Sequence, residues 1–311
     1  MTTPDFRHET VLLHETVDAL HPHPGGIWLD GTAGGGGHTA LLLEHIRPGG
    51  RILALDRDPA AVAVLHNRFA GEPAVTVMQG NFFAAPLTLA QLGFAQLDGA
   101  LLDLGVSSPQ LDTPERGFSY HHEAPLDMRM EQSGPSAADL VNTLPEAELR
   151  ALFWEYGQER FAGAMAGAIV KARAQKPIET TTELAELLSR VVPAAARRDG
   201  HPARRAFMAL RYACNRELDG LEDALRGVFE LLRPGGRLAV IGFNSLEDAA
   251  LKRAFRPYLE GCTCPPEFPV CLCGKTPGGR FAQKPRLPGS EELARNPRAR
   301  SAKLRVIEKI K

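Results

Sequence analysis

No run of about 18 apolar residues occurs in the sequence, so no helix is expected to cross a membrane. The opening residues, MTTPDFRHETVLLHE, lack the charged-then-apolar order of a secretory leader, and the cytoplasm is the expected location. Net charge is also scarce: the formal balance is −1 at pH 7, which argues against wholesale coating of nucleic acid. Neither an internal repeat nor a coiled-coil heptad is present, which excludes a solenoid or a long zipper. Cysteine is limited to five residues, and in a cytoplasmic setting disulfides are not expected. Four of the five crowd into a Pro-rich segment as Cys262-Thr-Cys264 and Cys271-Leu-Cys273. Four thiols suit a zinc site, but the C-x-C spacing is tighter than the usual C-x₂-C, and a redox-inert surface turn is the alternative. No metal is therefore assigned from the sequence.

What is present points to an α/β protein. A chain of 311 residues, 44% hydrophobic, is enough for one large domain with an insert or for two domains. The stretch IWLDGTAGGGGH (27–38) reads as a buried strand breaking into a glycine loop, and TALLLEHI continues as a helix. Strand, glycine loop and helix open a nucleotide-binding unit, because backbone must approach the ligand and free N–H groups at the helix start face it. RILALDRDP (51–59) reads as the second strand, with Asp56 at its end, about 20 residues past the glycines, where a carboxylate meets a ribose diol. Gly35-x-Gly37-x-x-Ala40 also fits a permissive dinucleotide fingerprint, so the loop alone does not separate NAD from other adenosine cofactors. VTVMQG is a third strand ending near Phe82, an aromatic that either stacks beside an adenine or fills the core. LDGALLDLG (97–105) is a fourth, and it runs into the polar turn VSSPQLD at the carboxyl end of a central strand, where ligand chemistry occurs in open α/β sheets.

Residues 9–21 read as a leading helix with Val11, Leu12, Val17 and Leu20 inward, and Asp58-Pro59 reads as a helix start. Residues 111–135 are irregular and rich in His, Arg and aromatics, which favours a functional lid. PEAELRALFWEYG, ERFAGAMAGAIVKARA and TELAELLSRVV then have helical spacing with little strand signal between them. The expected organisation is a helical insert over 114–205 inside a discontinuous sheet domain, 1–113 and 206–311. Beyond it come a long helical stretch broken near Gly220, a buried strand RLAVIGFNS, a helix capped by Ser245 and a last strand, KLRVIEKI. Two basic stripes stand out: residues 190–216 carry seven arginines against one aspartate, and residues 275–311 carry eleven Lys or Arg against three Glu. Such stripes in a neutral protein suit a polyanion held at one face, against the plainer reading of solvated arginines.

The motifs HETVLLHE (8–15), DGTAGGGGH (30–38), DRDP (56–59), DLGVSSPQLD (103–112), RGFSY (116–120), PLDMRM (125–130), YGQERFA (156–162), HPARRAF-x-ALR (201–211), FNSLED (243–248) and NPRARSAKLR (296–305) run nearly end to end. Together they resemble the RsmH/MraW family, bacterial S-adenosylmethionine-dependent methyltransferases acting on a cytosine N4 of 16S ribosomal RNA. The resemblance implies a Rossmann-like class I methyltransferase sheet with an inserted helical, RNA-recognising domain. It also implies S-adenosylmethionine as cofactor, 16S rRNA within the small ribosomal subunit as partner, and the decoding region as target. Gly36, Gly37, His38, Asp56, Phe82, Asp103 and Gln110 are then the expected cofactor contacts. Ser107-Ser108-Pro109-Gln110 is similar to the Ser/Asp/Asn-Pro-Pro-aromatic turn of other amino methyltransferases, and Asp103 and Ser108 are the candidates nearest the reacting amine. Arg116, Phe118 and Tyr120 are candidates to hold or stack the base, since the cytosine must leave its stack. Where the family usually has histidine, this chain has Asn244, which bonds but takes no proton and is read as a positioning residue. Met208 and Tyr212 also depart from the family's usual Gln and Ile. Two other classes compete: a non-catalytic RNA-binding or assembly factor, and an NAD-dependent oxidoreductase, which leaves the SSPQ turn and the basic stripes without a role. The sequence leaves the oligomeric state open, a homodimer included.

Overall fold

A computed structural model describes residues 9–265, 270 and 272–311. They fall into two compact units, one within Met1–Gly105 and Gly220–Lys311, the other Val106–Asp219. In the first unit, seven strands among the described residues form one sheet: β1 (Ile27–Asp30), β2 (Arg51–Asp56), β3 (Val75–Gln79), β4 (Leu97–Asp103), β5 (Leu232–Gly242), β6 (Gly279–Phe281) and β7 (Lys303–Lys309). Their order is β3-β2-β1-β4-β5-β7-β6. The first five are parallel, and β7 runs antiparallel to β5 and β6.

The uninterrupted apolar run of β4 fits a central parallel strand covered on both faces, and all its residues but the last are buried. Gly99 lets β4 lie under Trp28: a β-carbon there would come 2.3 Å from the indole. Because β2 and β4 pair with opposite edges of β1, the chain order reverses at β1. This is the topological switch point, where a crevice opens at the carboxyl ends of the strands. The Rossmann-like α/β sheet expected from the sequence is thus the fold of this unit. Trp28, Leu42, Ile46, Ile52, Leu101, Ile241 and Leu304 are among the residues of its core.

The leading helix is shorter than expected, Leu13–Leu20, bounded by Leu12 and His21 in the left-handed region at φ 50° and 54°. The helix after β5 spans Ser245–Leu259, and its N-cap is Asn244, not Ser245 as the sequence suggested. β6 was not anticipated; three residues at a sheet edge carry too little periodicity to be read.

The second unit is helical, with Ala137–Thr143, Glu146–Glu155, Ala162–Arg173, Thr181–Val191 and Arg204–Asn215. Phe153, Met165, Ile169, Leu184, Leu188, Phe207 and Leu210 belong to its core. The helix Arg204–Asn215 goes with this unit because it buries Ala206, Phe207, Ala209 and Leu210 there, whereas composition alone set the boundary at 205/206. It stops at Arg216, which has φ 51°, and the next helix begins after Gly220, at φ 78°. Residues 117–135 are irregular, as expected of a lid, but they are tied down. Leu126, Met128 and Met130 enter the core, and Asn215 accepts from the Met130 N–H (2.7 Å) and donates to the Met128 carbonyl (2.7 Å). Among the described residues no helix is long and apolar enough to cross a membrane.

Candidate functional site

Three carboxyl groups mark the carboxyl ends of neighbouring strands: Asp30 on β1, Asp56 on β2 and Asp103 on β4. Asp30 is fully buried and accepts from the Thr39 hydroxyl (2.6 Å) and the Thr32 N–H (3.3 Å). Asp56 accepts from the Gly34 N–H (2.8 Å) and the Asp58 N–H (2.8 Å), so it pins the glycine loop to the start of the next helix. Thr32 also holds Asp103, whose backbone N–H donates to its hydroxyl at 2.6 Å. The carboxyl atom Oδ1 of Asp103 is buried with no hydrogen-bond partner among the described residues. A buried acceptor left this way is costly in a folded protein unless a ligand completes it.

The loop glycines divide into two kinds. Gly36 caps the helix Gly37–Ile46 at φ 78°, and a β-carbon there would meet Phe69 at 2.8 Å. At Gly37 a β-carbon would lie 1.8 Å from the Thr10 hydroxyl. These two are demanded by packing. A β-carbon at Gly35 would meet nothing within 4 Å, and one at Gly34 only the Thr32 carbonyl at 4.0 Å, so a ligand can approach the backbone there. His38 is buried beside this helix start; burial pushes its imidazole down to about 4, with the Val11 backbone bond opposing, so it stays neutral at physiological pH. Phe82 opens a 3₁₀ turn after β3, with Asn81 accepting from the Phe83 N–H at 3.2 Å. Its β-carbon is close to the α-carbon of Gly31, where a side chain would meet it at 3.0 Å.

Electrostatics says what this crevice accepts. Burial, then the negative neighbours Asp30 and Glu247, push the Asp103 carboxyl up to about 8. Burial, with Asp56 adding to it, pushes Asp30 up to about 7. Asp56 is raised as well, mainly by burial. Carboxyls whose ionisation is disfavoured in this way ionise more readily when a positive charge lies beside them. S-adenosylmethionine brings such charges in its sulfonium and ammonium groups and so fits these residues.

Asn244 caps the helix that follows β5. Its Oδ1 accepts from the Leu246 N–H (2.9 Å), while Glu247 accepts from the N–H groups of Phe243 (2.7 Å) and Asn244 (3.0 Å). This reciprocal capping box starts the helix. Glu247 also reaches Asp103 electrostatically.

The remaining candidates lie in the second unit. The expected polar turn after β4 is a short helix, Ser108–Asp112, capped by Ser107. Gln110 is buried, and its side chain accepts from the Ser107 N–H at 3.0 Å. The spacing Ser-x-x-Gln carries this capping box in the sequence. Ser108 is half-buried at the helix start. Arg116 donates to the carbonyls of Arg129 (2.9 Å) and Met130 (3.1 Å), and Phe118 is buried in the core. Tyr120 is half-buried and stacks on His201, centroid to centroid 4.4 Å at 15°. His201 was not singled out, since only the fold brings it to Tyr120.

The MraW methylase family matches residues 5–310. A ribosomal RNA small subunit methyltransferase H of Geobacter sp. (strain M21) is 52% identical, over 98% of this chain and 99% of its own. Proteins of the same name from Heliobacterium modesticaldum and Brevibacillus brevis are 50% and 48% identical; the first spans 98% of this chain and 99% of its own, the second 100% of each. Motifs, crevice and full-length similarity agree: the chain belongs to the MraW methylase family, with S-adenosylmethionine as its methyl donor.

Proposed function

We propose that this protein methylates the exocyclic N4 of a cytidine in 16S rRNA of the small ribosomal subunit, in the decoding region, and acts in the cytoplasm. The names of its relatives support small-subunit rRNA as substrate, and the motif resemblance supports the cytosine amine. The observation that carries the reading is Asp103: a buried, unpartnered carboxyl oxygen at the end of the central strand, beside the glycine loop.

The cytosine amine is a poor nucleophile because its lone pair is conjugated with the ring. Bound S-adenosylmethionine supplies an electrophilic methyl group for in-line displacement. Asp103 accepts a hydrogen bond from the amine through Oδ1, favouring the pyramidal, attacking form. Its high proton affinity holds the carboxyl neutral until a cation enters the crevice, and the ionised carboxylate is then the stronger acceptor. Ser108 offers a second acceptor for the amine. Asp56 would take the ribose hydroxyls and Phe82 would flank the adenine; Gly36 and Gly37, fixed by packing, and His38 hold the loop that meets the cofactor, and Gln110 is a further proposed contact. Tyr120, backed by His201, supplies a stacking surface for the unstacked base, with Arg116 and Phe118 setting its loop. Asn244 positions the helix start that carries Glu247. The helical unit with its arginine-rich 190–216 stretch takes the RNA backbone.

The test is transfer of tritium from methyl-labelled S-adenosylmethionine to small subunits from a strain lacking the protein, followed by nucleoside analysis. Label in N4-methylcytidine is expected. Label in another nucleoside, or none while cofactor binding is intact, overturns the proposal.

A further inference from the structure

Between the helix Ser245–Leu259 and β6, the chain makes a Pro-rich excursion with no helix or strand among its described residues. Its base is closed by the Gly278 N–H donating to the Tyr258 carbonyl (2.8 Å) and by the Ile310 N–H donating to the Gly278 carbonyl (2.8 Å). Among its described residues, Val270 and Leu272 are 67% and 75% exposed. What the fold does bring together are sulfurs. The Sγ atoms of Cys262, Cys264 and Cys273 all lie within 4.8 Å of one another. Cys262 and Cys273 are 3.7 Å apart, far beyond a disulfide bond. A zinc–sulfur bond of about 2.3 Å in tetrahedral geometry sets sulfurs about 3.8 Å apart.

The backbone is arranged around these sulfurs as around anions. The Cys264 N–H donates to Cys262 Sγ (3.4 Å), the Leu272 N–H to Cys264 Sγ (3.4 Å) and the Lys275 N–H to Cys273 Sγ (3.5 Å). Gly274, at φ 60°, makes the last turn possible, since a side chain is strained there. N–H donors aimed at each sulfur stabilise thiolates, the form that binds metal.

We propose that Cys262, Cys264 and Cys273 bind one structural zinc ion that staples this excursion. Cys271, the fourth cysteine of the segment, lies outside the described residues, and the proposal rests on the other three. Binding deprotonates the thiols and releases their protons to solvent, with no redox change. Tetrahedral thiolate sites select zinc or iron–sulfur clusters, and a single ion fits sulfurs this close. The ion has no part in methyl transfer as proposed above, so this site and that function stand or fall separately.

Protein purified without chelators from zinc-supplemented cells is expected to carry about one zinc per chain, and a Cys262→Ser/Cys273→Ser double variant less than about a tenth of that. Cys214→Ser, which removes a cysteine outside the segment, is expected to keep its zinc. Cobalt(II)-reconstituted wild-type protein provides a reading that needs no variant: thiolate-to-cobalt charge-transfer absorption in the near ultraviolet. Wild-type protein without stoichiometric metal, iron in place of zinc, zinc retained by the double variant, or cobalt without thiolate absorption would overturn the assignment.

Discussion

Asp103 and Asn244 show how much one side chain can depend on its partners. Asparagine at 103 keeps the size and a neutral acceptor but cannot ionise. Asp103→Asn is expected to lower the single-turnover methyl-transfer rate by roughly 10²-fold or more, with cofactor affinity changing far less. Transfer at the wild-type rate would remove Asp103 from the reacting centre. Asn244 acts through the helix it caps. Asn244→Ala should cost about 1 kcal/mol in denaturant unfolding, whereas Asn244→Ser should stay within a few tenths, because serine caps equally well. Equal losses for both would mean that the cap is not what the residue contributes. At this scale the sequence was legible in part. The position of Asp103 followed from its place at a strand end, but its unpartnered oxygen and its negative neighbours Asp30 and Glu247 follow only from packing three distant segments together. Gly36 and Gly37 were assigned to ligand approach, yet their α-carbons face Phe69 and Thr10; a glycine run does not reveal which members meet ligand and which meet protein.

At the level of elements, the glycine loop works because the helix Gly37–Ile46 begins against the segment at Thr10. A methyl group at 37 has no room, so Gly37→Ala is expected to destabilise by about 1–3 kcal/mol in chemical denaturation. Thr10→Ala in the same chain removes the hydroxyl at 1.8 Å and should recover part of that loss in a double-mutant cycle. Strict additivity would show that the two residues do not meet. The strands β1 to β5 and β7 could be read from short apolar stretches set between turn residues. The short helix Ser108–Asp112 reads as a turn in the sequence, because five residues do not establish a helical period and only the capping spacing betrays it.

For the molecule as a whole, the raised carboxyls link stability to pH. Asp103 and Asp30 hold protons to about 8 and about 7 in the fold, against an ordinary aspartate value of 3.8. The folded chain therefore binds protons more tightly than the unfolded one. The stability these groups contribute is fully present below the unfolded value and is lost as pH rises through about 8. At Asp248 burial pushes upward but is outweighed by Arg305, Lys252 and Lys303 together, which hold it down to about 2, so it works in the opposite sense and its contribution is lost only in acid. Without cofactor, the thermal midpoint is expected to fall between about pH 5 and about pH 8, less steeply in Asp103→Asn. Saturating S-adenosylmethionine should flatten the same curve and release protons on binding, measurable by calorimetry in buffers of different ionisation enthalpy. A midpoint rising over that interval without cofactor would contradict the assignment of buried, protonated carboxyls.

The sequence by itself determined the sheet, the glycine loop, the helical insert and the family, because apolar period, turn residues and contiguous motifs are local properties of the chain. The tertiary structure decided the rest. It chose Gly34 and Gly35 as the open part of the loop, raised three carboxyls by burying them together, made Asn244 a cap, stacked Tyr120 on His201 and gathered three thiols. Each depends on distances between residues far apart in the chain, and those distances exist only once the core has closed.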